Sequence, residues 1–268
     1  MNTFMSYTGN KTGYPIPIPS FFQHYVEPFV GSGAVLFNLT PKDFIINDRN
    51  TDIYNLYIQI RDHPKEFMDI LDGIKNNAVN HRVLGEWFNS EDRKNASLVF
   101  QASVYLFLNK VNYNGQCHHL KTGKLCISYS GRKKLNTYDE FNILACSSQL
   151  KYGTIHNVDY YEIFKMCQPR DFVFIDPPYF TRTFDMYGDD FNVKVGSYEK
   201  HEELFERVKE LHDRGCFITV TYNLEPKIQK WYTDIGFSVK LHTKLATYNP
   251  SRGPRKEYVE MFLYNFVE

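Results

Sequence analysis

Phe172-Val173-Phe174-Ile175-Asp176-Pro177-Pro178-Tyr179 runs four apolar residues into an acid, two prolines and an aromatic ring. A carboxylate, a neighbouring backbone carbonyl outside any regular pairing, and a flat aromatic face suit one kind of ligand, a planar amino group on a ring. The two oxygens can accept its two protons, and the face can stack on the ring. Pro177 and Pro178 carry no amide hydrogen and have fixed φ, and Pro177 biases Asp176 towards an extended backbone, so a strand entering at Phe172 must stop here. The plain alternative is a strand that ends in a proline turn. The apolar run before the acid and Tyr179 after it favour a site, with Asp176, Pro177, Pro178 and Tyr179 as the candidate catalytic residues.

The elements that would position such a site can be read around it. The apolar run has the length and the β-branched and aromatic character of a strand covered on both faces. Open α/β sheets place their ligand crevices at the carboxyl ends of such strands. Earlier in the chain, Tyr25-Val26-Glu27-Pro28-Phe29-Val30-Gly31-Ser32-Gly33-Ala34 reads as a short strand, a glycine turn and the start of a helix, a geometry that lets backbone amides approach a ligand. Gly-x-Gly without a third glycine is a poor dinucleotide fingerprint, and no Gly-Lys-Ser/Thr follows for a phosphate loop. Phe44-Ile45-Ile46-Asn47-Asp48 predicts a second strand ending in an acid. Asp48 could accept both ribose hydroxyls of a nucleoside or cap the next helix. That helix is predicted over residues 52–61, from Ile53, Leu56, Tyr57 and Ile60 on one face. Gly153 to Tyr160 predicts another short strand, with Asp159 at its end or capping the helix after it. Residues 199–214 predict an amphipathic helix with Leu204, Phe205, Val208 and Leu211 inward, and Leu98, Ala102, Tyr105 and Leu106 a helical core face. Strands are expected over 216–222, 237–245 and 257–264, and a lid over 180–196.

Composition bounds the rest. At 268 residues with 43% hydrophobic residues, the chain can fill one large domain or two small ones. Its 31 basic and 31 acidic residues cancel, so nucleic-acid binding would have to come from local patches. Twenty Tyr and 22 Phe provide rings for a core and for stacking on bases. Five cysteines without a Cys-x-x-Cys pair, and no secretory signal, predict a reduced cytoplasmic protein of a bacterial cell or of a host cell infected by a virus or phage. No apolar run is long enough to span a bilayer. Cys117, His118, His119 and Cys126 lack a standard finger spacing, so no metal is expected.

Glu27-Pro28-Phe29-Val30-Gly31-Ser32-Gly33-Ala34, then Ile46-Asn47-Asp48, then Asp176-Pro177-Pro178-Tyr179, in that order, resemble the Dam family of DNA adenine methyltransferases. Tyr7-Thr8-Gly9-Asn10-Lys11 is similar to that family's opening motif, and the resemblance covers nearly the whole chain. It implies an α/β fold: a Rossmann-like class I methyltransferase domain (residues 1–60 and 143–268) interrupted by a mainly helical target-recognition insert with a β-hairpin (residues 61–142). The cofactor implied is S-adenosyl-L-methionine. Tyr7, Lys11, Glu27, Phe29 and Gly31-Ser32-Gly33 would lie around it, with Asp48 on its ribose, Asp159 on its adenine amino group and Tyr160 against that ring. The reaction implied is methyl transfer to the exocyclic amino group of an adenine flipped out of double-stranded DNA, as in restriction-modification systems. Tyr179 would stack on the base, while Asp176 and the Pro177 carbonyl hold its amino group. A monomer is expected in solution, with room for more than one copy on DNA.

Leu108-Asn109-Lys110-Val111-Asn112-Tyr113-Asn114-Gly115-Gln116-Cys117-His118 is similar to the family's DNA-entering segment, Leu-Asn-Arg-x-x-Tyr-Asn-Gly-Leu-x-Arg. It departs where bases are read. Gln116 replaces Leu, and His118 replaces the Arg that contacts a guanine in members methylating GATC. An imidazole cannot reproduce the bidentate guanidinium contact, so no preference for GATC is expected. Lys110, Tyr113, Asn114, Gln116, His118, Arg132, Lys133, Arg252 and Arg255 are the DNA-binding candidates; a solvated basic run explains residues 132–134 equally well. An inactive DNA-binding module, and methylation of cytosine or of adenine in RNA, remain open at this point.

Overall fold

The computed structural model describes residues 1–7, 9–113, 120, 122–131, 136–180, 197–245 and 257–267. Among them the chain forms seven strands and nine α-helices. In order these are β1 (Tyr25–Glu27), α1 (Ala34–Leu39), β2 (Phe44–Asn47), α2 (Thr51–Asp62), α3 (Pro64–Gly73), α4 (Ala78–Phe88), α5 (Leu98–Val111), α6 (Glu140–Leu150) and β3 (Gly153–His156). Then come α7 (Tyr160–Met166), β4 (Phe172–Ile175), α8 (Glu199–Arg214), β5 (Phe217–Asn223), α9 (Pro226–Asp234), β6 (Ser238–Leu245) and β7 (Glu257–Tyr264). The chain divides into two compact units, one comprising Met1–Thr12 and Val30–Asp159, the other Gly13–Phe29 and most of the chain from Tyr160 onward. Residues 61–142 lie within the first.

In the first unit β2 and β3 pair in parallel, from Phe44 opposite Gly153 to Asn47 opposite His156. Gly153 is required there, because a Cβ would lie 2.3 Å from the Phe44 carbonyl oxygen. The helical layer is built on α5, whose run of Val, Tyr, Leu and Phe is apolar on nearly every side and is buried accordingly. It packs against α2, α3 and α4. Ala102, Tyr105 and Leu106 are core, as their spacing predicts, but Leu98 is 59% exposed. It is the first residue of the helix, where the chain has only just left the Ser97 cap, whose side chain accepts from the Phe100 amide. Helix α2 buries Ile53, Leu56, Tyr57 and Ile60 as predicted.

The second unit places β1 beside β4 and β4 beside β5, all parallel, with Ile175 opposite Val220. β7 then runs antiparallel between β5 and β6, with Thr221 opposite Phe262 and Asn223 opposite Glu260. All four residues of β4 are buried, which their apolar identity requires of a central strand. Helix α8 buries Leu204, Val208 and Leu211, and also His201. Phe205 is only half-buried, against Trp231 and Tyr232 of α9.

Candidate active site

Three short segments of the first unit build the glycine turn. After Val30, whose amide donates to the Asn47 carbonyl at the end of β2, the chain turns through Gly31 and Gly33, with φ of 47° and 66°. Both are conformations that glycine adopts at little cost. Space forbids side chains as well: a Cβ on Gly31 would sit 2.9 Å from the Tyr7 ring, and one on Gly33 2.5 Å from the Tyr57 hydroxyl. That hydroxyl donates to the Gly31 carbonyl at 3.1 Å. Tyr7 is in turn held by its neighbour. The Asn109 side chain accepts from the Ser6 amide at 2.8 Å and donates to the Ser6 carbonyl at 2.7 Å, a strand-like pairing made by one buried amide. Lys11 is buried and its ammonium donates to the Gly9 carbonyl at 2.7 Å.

Asp48 closes the turn. One carboxylate oxygen accepts the Gly31 amide at 3.0 Å and the other the Asn50 amide at 2.9 Å. Asp48 is therefore not the cap of α2. Asn50 is, accepting from the Asp52 amide, because the acid sits two residues too far back and is drawn to the glycine turn. A carboxylate has about four acceptor sites, so holding this turn is compatible with binding a ribose hydroxyl. Asn47 fixes the end of β3 by donating to the Val158 carbonyl at 3.1 Å and accepting its amide at 2.9 Å. Asn157 donates back to the carbonyls of Asp48 and Arg49. Asp48 and the exposed Asp159 thus stand at the ends of two strands that are tied together twice. The six residues of α1 make its macrodipole small, so the turn's anchoring rests on these hydrogen bonds.

In the second unit, Glu27 is buried and accepts from the Tyr25 hydroxyl at 2.8 Å. The Phe29 ring lies 5.3 Å from that of Tyr160. At the end of β4, Asp176 leaves the sheet with its carboxylate partly exposed, while Pro177 is buried and Pro178 and Tyr179 are half-buried. The Thr221 hydroxyl of β5 donates to Asp176 Oδ1 at 2.5 Å and lies 3.2 Å from the Tyr179 hydroxyl, which also reaches the Glu260 carboxylate of β7. Burial first, then the charges of Asp176 and Glu260, push the Tyr179 hydroxyl well above its ordinary value, so it stays protonated. Behind it, the Tyr179 ring tilts against Tyr222 at 6.1 Å. His201 shares a 3.1 Å hydrogen bond with the Tyr222 hydroxyl. Phe180 stacks on Tyr198 at 4.3 Å, and its carbonyl accepts from Asn223.

Of the DNA-binding candidates, Lys110 lies in the last turn of α5, half-buried, and burial lowers its ammonium from the ordinary value. Tyr113 is 52% exposed. Asn114, Gln116, His118, Arg132, Lys133, Arg252 and Arg255 lie outside the described residues, as do Cys117, His118 and His119 of the Cys/His cluster and the span 181–196 expected to be a lid. Hydrogen bonds hold the residues on either side of the segment after Tyr113. Asn112 Oδ1 accepts from His81 Nε2 at 2.7 Å and from the Ser128 amide at 3.3 Å, and its amide nitrogen donates to the Cys126 carbonyl at 3.1 Å. Helix α4 closes on these residues at Gly85, where a Cβ would meet Ile127 at 2.6 Å.

A parallel sheet with an antiparallel β7, a glycine turn after β1, acids at the ends of β2, β3 and β4, and Pro-Pro-Tyr after the last acid define an α/β methyltransferase of class I. A model of the D12 class of N6 adenine-specific DNA methyltransferases matches residues 7–249, and the chain belongs to that family of enzymes. It is similar to the type II methyltransferase M1.LlaDCHI of Lactococcus lactis subsp. cremoris, with 25% identity over 277 residues, covering 99% of this chain and 96% of the relative. It is 28% identical over 218 residues to the retron Ec67 DNA adenine methylase of Escherichia coli, covering 79% and 75% of the two chains. To the DNA adenine methylase of Escherichia coli strain K12 it is 22% identical over 267 residues, covering 97% and 93%. S-adenosylmethionine is the usual methyl donor of methyltransferases. Among the described residues no helix is long and apolar enough to cross a membrane.

Proposed function

We propose that this enzyme methylates the exocyclic amino group of an adenine flipped out of double-stranded DNA, at a recognition sequence other than GATC, using S-adenosyl-L-methionine. The observation that carries the assignment is Asp176: a partly exposed carboxylate at the end of a buried strand, followed by a proline carbonyl and a tyrosine ring. Asp176 and the Pro177 carbonyl accept hydrogen bonds from the two amino hydrogens and turn the nitrogen lone pair out of the plane of the base; as the methylated nitrogen becomes cationic, its surplus proton passes to Asp176 and on to solvent. Tyr179 supplies the face on which the base rests. An adenine inside a duplex cannot reach these groups, and extruding it costs a few kcal/mol of stacking and pairing. The chain's contribution is positioning and charge stabilisation, with no covalent intermediate on the protein.

The glycine turn fits the cofactor. Glycine is required at both positions because the Tyr7 ring and the Tyr57 hydroxyl fill the space of a Cβ, and Asp48 stands at the strand end beside the turn. Tyr7, Lys11, Glu27, Phe29 and residues 31–33 would surround the donor, with Asp48 on its ribose and Asp159 and Tyr160 at its adenine. When bound, the donor supplies an electrophilic methyl group on a sulfonium. Residues 61–142 act as the target-recognition insert, Tyr113 and its neighbours reading the duplex, and Gln116 and His118 setting a specificity distinct from GATC. The enzyme works as a monomer in the cytoplasm of a bacterial cell, or of the host cell if it is encoded by a virus or phage. The test is Asp176→Ala: cofactor binding is retained by calorimetry while methyl transfer falls below detection. An Ala variant that methylates DNA at the wild-type rate would remove Asp176 from the mechanism.

A further inference from the structure

We infer that Thr221 is a positioning residue for methyl transfer, its one hydroxyl touching both the carboxylate that holds the target amine and the tyrosine whose ring carries the base. The inference rests on the roles proposed above for Asp176 and Tyr179. Thr221 lies on β5 one step beyond the Ile175–Val220 pair, so its backbone runs beside that of Asp176. It is wholly buried, and a buried hydroxyl requires a partner. It has two within reach, Asp176 Oδ1 at 2.5 Å and the Tyr179 hydroxyl at 3.2 Å.

Counting hydrogens gives the direction of each bond. An ionised carboxylate can only accept, so the Thr221 hydrogen goes to Asp176. Tyr179 holds one hydrogen, which goes chiefly to the closer Glu260 carboxylate, with the Thr221 oxygen at 3.2 Å as the second acceptor of a three-centre bond. The order Glu260, Tyr179, Thr221, Asp176 therefore runs from β7 to the end of β4 with a donor at each hydroxyl. Its ends are fixed by pairing, Glu260 lying opposite Asn223 on the strand that carries Thr221. A hydroxyl donating to one oxygen removes the free rotation of the Asp176 carboxylate and sets where its other oxygen points. Thr219, two residues earlier on the same face, is spent otherwise, donating to the Pro17 carbonyl at 2.9 Å.

The experiment compares Thr221→Val, which keeps the shape and loses the hydroxyl, with Thr221→Ser, which keeps the hydroxyl and loses the methyl. Each is assayed for single-turnover methyl transfer to unmethylated genomic DNA, for S-adenosylmethionine affinity and for thermal melting, with Asp176→Ala alongside. The Val variant is expected to transfer about 10- to 100-fold more slowly, the cost of a small misplacement of reacting groups, with unchanged cofactor affinity. The Ser variant is expected to stay within about threefold of wild type, since the hydroxyl alone sets the geometry. Should Val prevent folding, Thr221→Ala takes its place under the same criterion. Wild-type rates in the hydroxyl-less variant, or an equal fall in Ser and Val, overturn the inference. If Asp176→Ala is itself fully active, the reading of Asp176 fails first; if it is inactive while Val is normal, only the role of Thr221 fails.

Discussion

Acid should loosen the support behind Tyr179 through one side chain. His201 is 1% exposed, its Nδ1 shares a hydrogen bond with the Tyr222 hydroxyl, and the edges of Phe180 and Tyr222 pack on its ring. Burial pushes it down from 6.5 to about 4. A histidine depressed in the folded state favours folding fully above its unfolded value. That contribution is lost as pH falls, because the unfolded chain takes up the proton first. At 1.36 kcal/mol per unit, the loss is about 2 kcal/mol by pH 5 and about 3 kcal/mol once the folded value is passed. The second unit can be followed alone through Trp231, which packs on Tyr198 and Phe205, in a Trp87→Phe background that removes the chain's other tryptophan. Urea midpoints at pH 7.5 and pH 5 should fall further for this protein than for the same protein carrying His201→Gln, by an amount worth about 2 kcal/mol. Parallel pH dependence in the two proteins would refute the argument, since His201 would then titrate alike folded and unfolded.

Gly33→Ala should destabilise the first unit by about 2–3 kcal/mol, from left-handed strain and displacement of the Tyr57 hydroxyl from the Gly31 carbonyl. S-adenosylmethionine affinity should drop at least tenfold; unchanged melting and binding would contradict this. Asn112→Leu removes the amide that joins α4 to both sides of the segment after Tyr113. It should raise the KM for DNA while leaving cofactor affinity intact, and a normal KM for DNA would count against a reading role for that segment.

Much of the fold was legible because it repeats. Ile53, Leu56, Tyr57 and Ile60 announce α2, and the apolar run before Asp176 announces β4. The acids at strand ends could be found for the same reason, each closing an apolar run. What the sequence hides is single polar residues whose partners lie far along the chain. Asn109 holds Ser6, Asn47 holds Val158, and His81 holds Asn112, and none belongs to a periodic pattern. Thr221 and Glu260 escaped for that reason, although Thr219-Val220-Thr221 offers a faint signal, hydroxyls alternating along a strand with no exposed face. Asp48 was legible as a site acid, but its grip on the Gly31 amide depends on a turn that only the fold brings near. Leu98 shows the opposite error, a residue in the right period that faces water because it opens its helix.

The most direct test is methyl transfer from labelled S-adenosylmethionine to unmethylated genomic DNA, followed by nucleoside digestion and base-resolved mapping of the mark. N6-methyladenine is expected at one recurring short sequence that is not GATC, and is lost with Asp176→Ala. Label on cytosine, label at GATC, or no transfer by a protein that binds the cofactor would contradict it.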